Sequence, residues 1–228
     1  MGHSQSHKLN YEVAGTALGV APADPEILAA LKAFSTEKIK GERHHLVEFY
    51  NRSTASSTET NLKPGTGILA AADWIKSQFK SYSKDCGGCL EVEFDEFVEQ
   101  PHADFNNSRP RIVKPMPLRN VFAILRGSDP TASKHMYLVT GHYDTRETDV
   151  VNTHDFAPGA NDDSSGTAVS MQAARALSKY KFLATIVFVA VAGEEQGLNG
   201  SRHLAKRAQK EDWQIEGVLN TTLSVVIL

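Results

Sequence analysis

Cysteine is scarce in this 228-residue sequence: there are two, both in one Cys86-Gly87-Gly88-Cys89 unit. Two thiols cannot complete a four-cysteine zinc site, and no histidine stands at finger spacing from them. A thioredoxin-like redox pair would open a helix after a strand, whereas this pair opens a strand. A local disulfide, a reduced structural pair, and a redox or metal role remain as readings. Long apolar runs are also missing. The longest, Ala184 to Ala192, is strand-sized and far short of the roughly 20 residues that span a bilayer. No basic segment followed by an apolar core opens the chain, so no signal peptide is visible. Neither sign of charge dominates: 24 Lys and Arg stand against 27 Asp and Glu, a net charge of -3. That balance gives no electrostatic footprint for nucleic acid. Internal repeats are absent, and nothing speaks to oligomeric state.

What is present is ordinary for a globular domain: 41% hydrophobic and 22% charged residues, in a chain long enough to bury one full core. Residues 1–23 read as a solvated tail and 24–228 as the domain. Asp24-Pro25 is a helix start, with Ile27, Leu28, Leu31 and Phe34 on one face. Ser35 caps a second helix carrying Ile39, Leu46, Val47 and Tyr50. Residues 53–64, rich in Ser and Thr, read as a polar loop. Gly67 to Ser81 has the period of a long amphipathic helix. Leu90 to Phe94 alternates as a half-exposed strand. Pro101 to Pro117 reads as loop, because three prolines near its end block regular structure. Asn120 to Leu125 and Met136 to Thr140 follow as apolar strands, then a helix over Ser165 to Tyr180. Thr185 to Ala192 is a continuous apolar strand that needs cover on both faces. A helix over Leu198 to Gln209 and a strand starting at Val218-Leu219 complete the pattern. Helices alternating with buried strands imply an α/β fold, a three-layer α/β/α sandwich with a mixed, mostly parallel central sheet.

Three clusters of His and carboxylate residues sit where an open α/β sheet binds ligands, beyond the carboxyl ends of its strands. His142 and Asp144 follow the strand ending at Thr140. Asp162 and Asp163 lie in the loop Pro158-Gly159-Ala160-Asn161-Asp162-Asp163-Ser164-Ser165-Gly166, which leads into a helix. Glu194 and Glu195 follow the strand ending at Ala192. Singly, each cluster reads equally well as a cap or solvated turn. Together they match a hydrolytic zinc site, which uses imidazole nitrogen and carboxylate oxygen and leaves a position for water. Asp144, two residues past His142, is placed to orient the imidazole from its other nitrogen. A Glu-Glu pair can divide labour, one carboxylate on metal and its neighbour as general base.

With Gly141-His142-Tyr143-Asp144 before that loop and Gly193-Glu194-Glu195-Gln196-Gly197-Leu198 after it, the sequence resembles the co-catalytic zinc aminopeptidases of peptidase clan MH, which include secreted bacterial leucyl aminopeptidases. The resemblance spans about Arg119 to Leu219. It implies a zinc-dependent exopeptidase of aminopeptidase type, two zinc ions, peptide substrates, and an extracellular or periplasmic location. Carried over by motif, His142 would bind one zinc, Asp162 bridge both and Glu195 bind the other. Glu194 would be the general base, Asp144 would orient His142, and Asp163 would be a structural cap. A related dizinc deacylase family places its bridging aspartate in an Asp-x-Lys-Gly-like context that is absent here. Single-zinc glutaminyl cyclases share the fold, but the full Asp-Asp-Ser-Ser-Gly and Glu-Glu-Gln-Gly runs favour a peptidase.

The family pattern also asks for an Asp in a motif like Leu-Asn-Asn-Asp, and for a later His. Here Leu219-Asn220 is followed by Thr221 and Thr222, so Thr222 stands where the Asp is expected. A family-like continuation, Asn-Asn-Asp-Ile-Val-Gly-Gly-Asn-Pro, shifted by one deleted base becomes Asn-Thr-Thr-Leu-Ser-Val-Val-Ile-Leu, which is Asn220 to Leu228. The expectation is therefore a chain truncated at its C-terminus by a frameshift, with an incomplete sheet. The alternative function is an inactive remnant or non-catalytic binding module of the same fold.

Overall fold

Asp24 starts helix α1 (Pro25–Ala33) by accepting the Glu26 N–H at 2.8 Å, and Ser35 starts α2 (Thr36–Glu48) by accepting that of Lys38. A computed structural model describes residues 24–103 and 110–222. The expected tail over 1–23 and the run Val225 to Leu228 lie outside them. The remaining elements are α3 (Ile68–Asp85), β1 (Leu90–Glu99), β2 (His102–Ala103), β3 (Pro110–Ile112), β4 (Met116–Leu125), β5 (His135–His142), α4 (Ser164–Leu177), β6 (Thr185–Val191), α5 (Asn199–Lys210) and β7 (Gln214–Asn220). A disulfide joins Cys86 to Cys89 in the turn between α3 and β1.

The main sheet runs β1-β4-β6-β5-β7 and is mixed. β1–β4 and β4–β6 are antiparallel, whereas β5 is parallel to both β6 and β7. Helices α2, α3 and α4 cover one face around Phe79, Val121, Phe188 and Met171; α5 and Trp213 cover the other around Phe122, Val187, Val189 and Leu204. That double cover is what the unbroken apolar run of β6 requires. Because β5, β6 and β7 are parallel, their carboxyl ends meet at one edge, which brings His142, the turn after Val191, and Asn220 together.

Three segments differ from expectation. Within 53–64, Thr54–Thr58 form a 3₁₀ turn whose Thr54, Ala55, Ser56 and Ser57 are buried. The Ser56 hydroxyl bonds backbone on both sides: it donates to Ser53 O at 2.6 Å and accepts from Ile68 N at 2.9 Å. Within 101–117, β2 pairs with β3, and β4 already starts at Met116. Pro110 opens its strand, and Pro117 precedes the stretch where β4 meets β6, so neither interrupts a two-sided ladder. The apolar stripe of α1 is covered only at its end: Ile27 and Leu31 are each 60% exposed, while Phe34 packs against the core.

The helical layer carries one buried acid. Glu42 of α2 accepts on Oε1 from the Tyr82 hydroxyl of α3 and, at 2.5 Å, from Gln172 Nε2 of α4. Its Oε2 is buried with no hydrogen-bond partner. Burial raises its pKa to about 7, against the pull of the two donors, Arg175 and Lys38.

Candidate active site

Gly141 lets α4 press onto the end of β5: a Cβ there would stand 2.8 Å from Gly166 C and Thr167 N. Asp163, the N-cap of α4, uses that closeness. Its Oδ1 accepts from Gly166 N and its Oδ2 from His142 N, each at 3.0 Å. Thr167 Oγ1 donates to His142 O at 2.8 Å. The His142 backbone is thus clamped on both sides by one helix N-terminus, and its ring is buried. The ring Nε2 lies 2.9 Å from Asp162 Oδ1, and Nδ1 lies 3.4 Å from Asp144 Oδ1. Asp163 is therefore a cap and clamp, while the neighbouring Asp162 presents its carboxylate to the imidazole.

Asp144 is wholly buried and holds the third cluster. Its Oδ1 and Oδ2 accept from the backbone N–H groups of Glu194 and Glu195, each at 3.0 Å. Gly193, at φ 70°, turns the chain off β6 so that both N–H groups can face Asp144. Glu195 Oε2 is 2.8 Å from Arg146 Nε, and its carbonyl accepts from Arg111 Nη1 at 2.7 Å. Glu194 lines a cavity of about 280 Å³ together with His142, Asn220, Thr222, Leu138, Val191 and Leu204. Thr222 donates to Asn220 Oδ1 at 2.7 Å.

The carboxylates crowd one another. Burial, with the charges of Asp144 and Asp162, raises Glu195 to about 7 against the opposing pull of Arg146. Burial also raises Glu194, with Asp144 and Asp162 adding to it and His142 opposing. For His142 burial disfavours the imidazolium, yet Asp144, with Asp163 and Glu194, outweighs it and lifts the pKa to about 10.

Neither Arg52 nor Gln196 stands out in the sequence as part of this site. Arg52 is fully buried: Nε donates to Tyr143 O at 2.7 Å, Nη1 to Leu46 O and Pro158 O, and Nη2 to Gly159 O and Ser164 Oγ. Gln196 Nε2 donates to Val150 O at 3.1 Å, and its Oε1 contacts the Thr54 hydroxyl. An Arg in a Ser/Thr-rich stretch has the composition of a solvated loop, so nothing local marks it. Gln196 belongs to the Gly-Glu-Glu-Gln-Gly run, which was the available signal.

His142, Asp162 and the Glu194–Glu195 turn are thus brought together, but Glu195 is turned to Arg146. Among the described residues no group of three or more His, Cys, Asp or Glu side chains is arranged around one metal position. The donor chemistry nevertheless fits zinc. Tetrahedral zinc ligands at 2.0–2.1 Å lie roughly 3.3 Å from one another, and the His142 Nε2 to Asp162 Oδ1 separation is 2.9 Å.

Residues 120–224 match peptidase family M28. A protein of Pyrenophora tritici-repentis named probable zinc metalloprotease is 39% identical over 206 residues, covering 90% of this chain and 40% of the relative. A protein of Leptosphaeria maculans with the same description is 41% identical over 202 residues, covering 88% and 44%. The chain therefore spans well under half the length of these relatives. Among solved structures, the LapA aminopeptidase of Legionella pneumophila superposes with a TM-score of 0.63 at 22% identity, over 95% of this chain and 50% of that one. A glutaminyl cyclase of Fimbriiglobus ruber gives 0.61 at 18% identity, over 82% and 60%. At such identities these structures share the fold with the chain, and the likeness extends no further.

Proposed function

We propose that this chain carries the catalytic edge of a zinc-dependent exopeptidase of M28 type, acting on peptides from the amino end. The observation that carries this reading is the approach of His142 Nε2 to Asp162 Oδ1 beside a Glu-Glu turn held by Asp144. It is supported by the family M28 match and by relatives named probable zinc metalloprotease. His142, Asp162 and Glu195 would hold the metal. When bound, zinc supplies Lewis-acid polarisation of the scissile carbonyl and of a water.

The chain's own residues do the rest. Asp144, 3.4 Å from Nδ1 of His142, would orient that ring and, by accepting from the backbone N–H groups of Glu194 and Glu195, fixes where the Glu-Glu turn stands. The Glu194 carboxylate accepts the proton of the attacking water and returns it to the leaving amine nitrogen. Burial raises its pKa above that of a solvated carboxylate, which makes it a stronger base. A location outside the cytoplasm accords with the Cys86–Cys89 disulfide, which persists in oxidising compartments.

One specific observation favours a second reading, a fold-retaining module without turnover: Glu195, expected on the metal, pairs with Arg146 at 2.8 Å. Metal analysis with an aminoacyl anilide assay separates the two. The enzyme reading expects zinc to bind and hydrolysis to depend on it. Glu194→Gln should keep the zinc while hydrolysis falls by about 10²–10⁴-fold, the usual contribution of a general base. Parental turnover in that variant removes Glu194 as base, and absence of zinc from the parent favours the second reading.

A further inference from the structure

Arg52 is the bulkiest of the fully buried side chains among the described residues, and the proposed chemistry does not use it. A guanidinium taken out of water is strongly disfavoured unless its donors are matched and its charge is answered. Here both conditions hold. The Arg52 fork reaches three separate segments: Leu46 O near the end of α2, Tyr143 O just after β5, and Pro158 O, Gly159 O and Ser164 Oγ in the loop that carries Asp162. Its backbone repeats the tie, since Arg52 N donates to Thr145 Oγ1 at 3.1 Å and Arg52 O accepts from Thr145 N at 3.3 Å.

The charge has counterparts too. Asp144 and Asp163 are both fully buried, and each interacts favourably with the Arg52 charge. Burial lowers the Arg52 pKa, but only to about 10, so it stays a cation at neutral pH. Asp144 holds Glu194 and Glu195, and Asp163 holds His142. Lysine could supply the charge but not the planar fork that meets several carbonyls at once.

We propose that Arg52 is the positioning residue of this site, its fork fixing the Asp162 loop against the end of β5 that carries His142. The proposal rests on the zinc-site reading for its purpose but not for its test. Arg52→Lys keeps the charge and loses the fork; Ser164→Ala keeps Arg52 and removes one of its loop contacts. Amide hydrogen exchange by mass spectrometry is compared over residues 157–164 and over α3, which Arg52 does not touch.

In Arg52→Lys the 157–164 segment should exchange about tenfold faster or more while α3 keeps parental protection. Ser164→Ala should show the same local effect at smaller size, and it decides alone if Arg52→Lys does not fold. Co²⁺, added as a spectroscopic probe of the metal position, should bind Arg52→Lys about 10–100-fold more weakly than the parent. Parental exchange over 157–164 in the folded variants overturns the proposal, as does acceleration spread equally into α3, which marks Arg52 as a general core strut. Parental Co²⁺ affinity in Arg52→Lys overturns its positioning role at the metal site. A parent that binds no Co²⁺ counts against the zinc reading, and the exchange comparison still decides Arg52.

Discussion

Replacing Glu42 by Gln should change how stability depends on pH, and the size follows from where Glu42 sits. Its pKa is 4.5 when solvated and about 7 in the folded chain, because burial among α2, α3 and α4 disfavours the carboxylate. The folded state thus holds the proton more tightly than the unfolded state. Stability is greatest below pH 4.5, falls as pH rises towards 7, and is flat for this group above that. A difference of about 2.5 units corresponds to about 3 kcal/mol between the two ends of the window. Gln keeps an oxygen for Tyr82 and Gln172 and cannot ionise, so Glu42→Gln lacks this dependence. Denaturant unfolding at pH 4 and pH 8 should show the variant gaining about 3 kcal/mol on the parent across that range, or about 6–12 °C in Tm for a domain of this size. Other carboxylates titrate alike in both proteins and cancel in the difference. A parent-to-variant difference that is constant with pH, or that moves in the parent's favour as pH rises, refutes the reasoning.

Two further substitutions test how the site is built. Thr222→Asp adds a carboxylate to the lining of the cavity shared with His142 and Glu194, and zinc should bind about tenfold tighter or more in competition with a chelator; unchanged affinity means that Thr222 is not at a ligand position. Gly141→Ala inserts a methyl 2.8 Å from the backbone of Gly166 and Thr167, which should cost about 1–3 kcal/mol in chemical unfolding, and parental stability would mean that α4 yields freely at this contact.

The parts of this fold that can be read from sequence are those whose cause is local. β6 is an apolar run of strand length, and α4 opens on an Asp that caps it; neither needs a distant partner to be recognised. The same holds for the chemistry: His142, Asp162 and Glu194 each follow a strand or lead a helix, so the rule for open α/β sheets brings them to one edge before any coordinate is known. Arg52 and Glu42 escape that reading for one reason. Each is a charged residue in a polar stretch, and in sequence that is indistinguishable from a solvated surface. Only the long-range pairings, Arg52 with the 158–164 loop and Glu42 with Tyr82 and Gln172, reveal that the charge is inside.

Asp144 shows what lies between these cases. Its spacing from His142 already predicts a role beside the imidazole. What spacing cannot convey is that the same carboxylate accepts from Glu194 and Glu195, fifty residues on. That one buried side chain thus stands beside the imidazole at the end of β5 and holds the Glu-Glu turn at the end of β6. On the proposed reading, a change at Asp144 should perturb the imidazole environment and the placement of Glu194 together. Substitutions at Asp144 and Glu194 should accordingly be non-additive, since the first already displaces what the second removes.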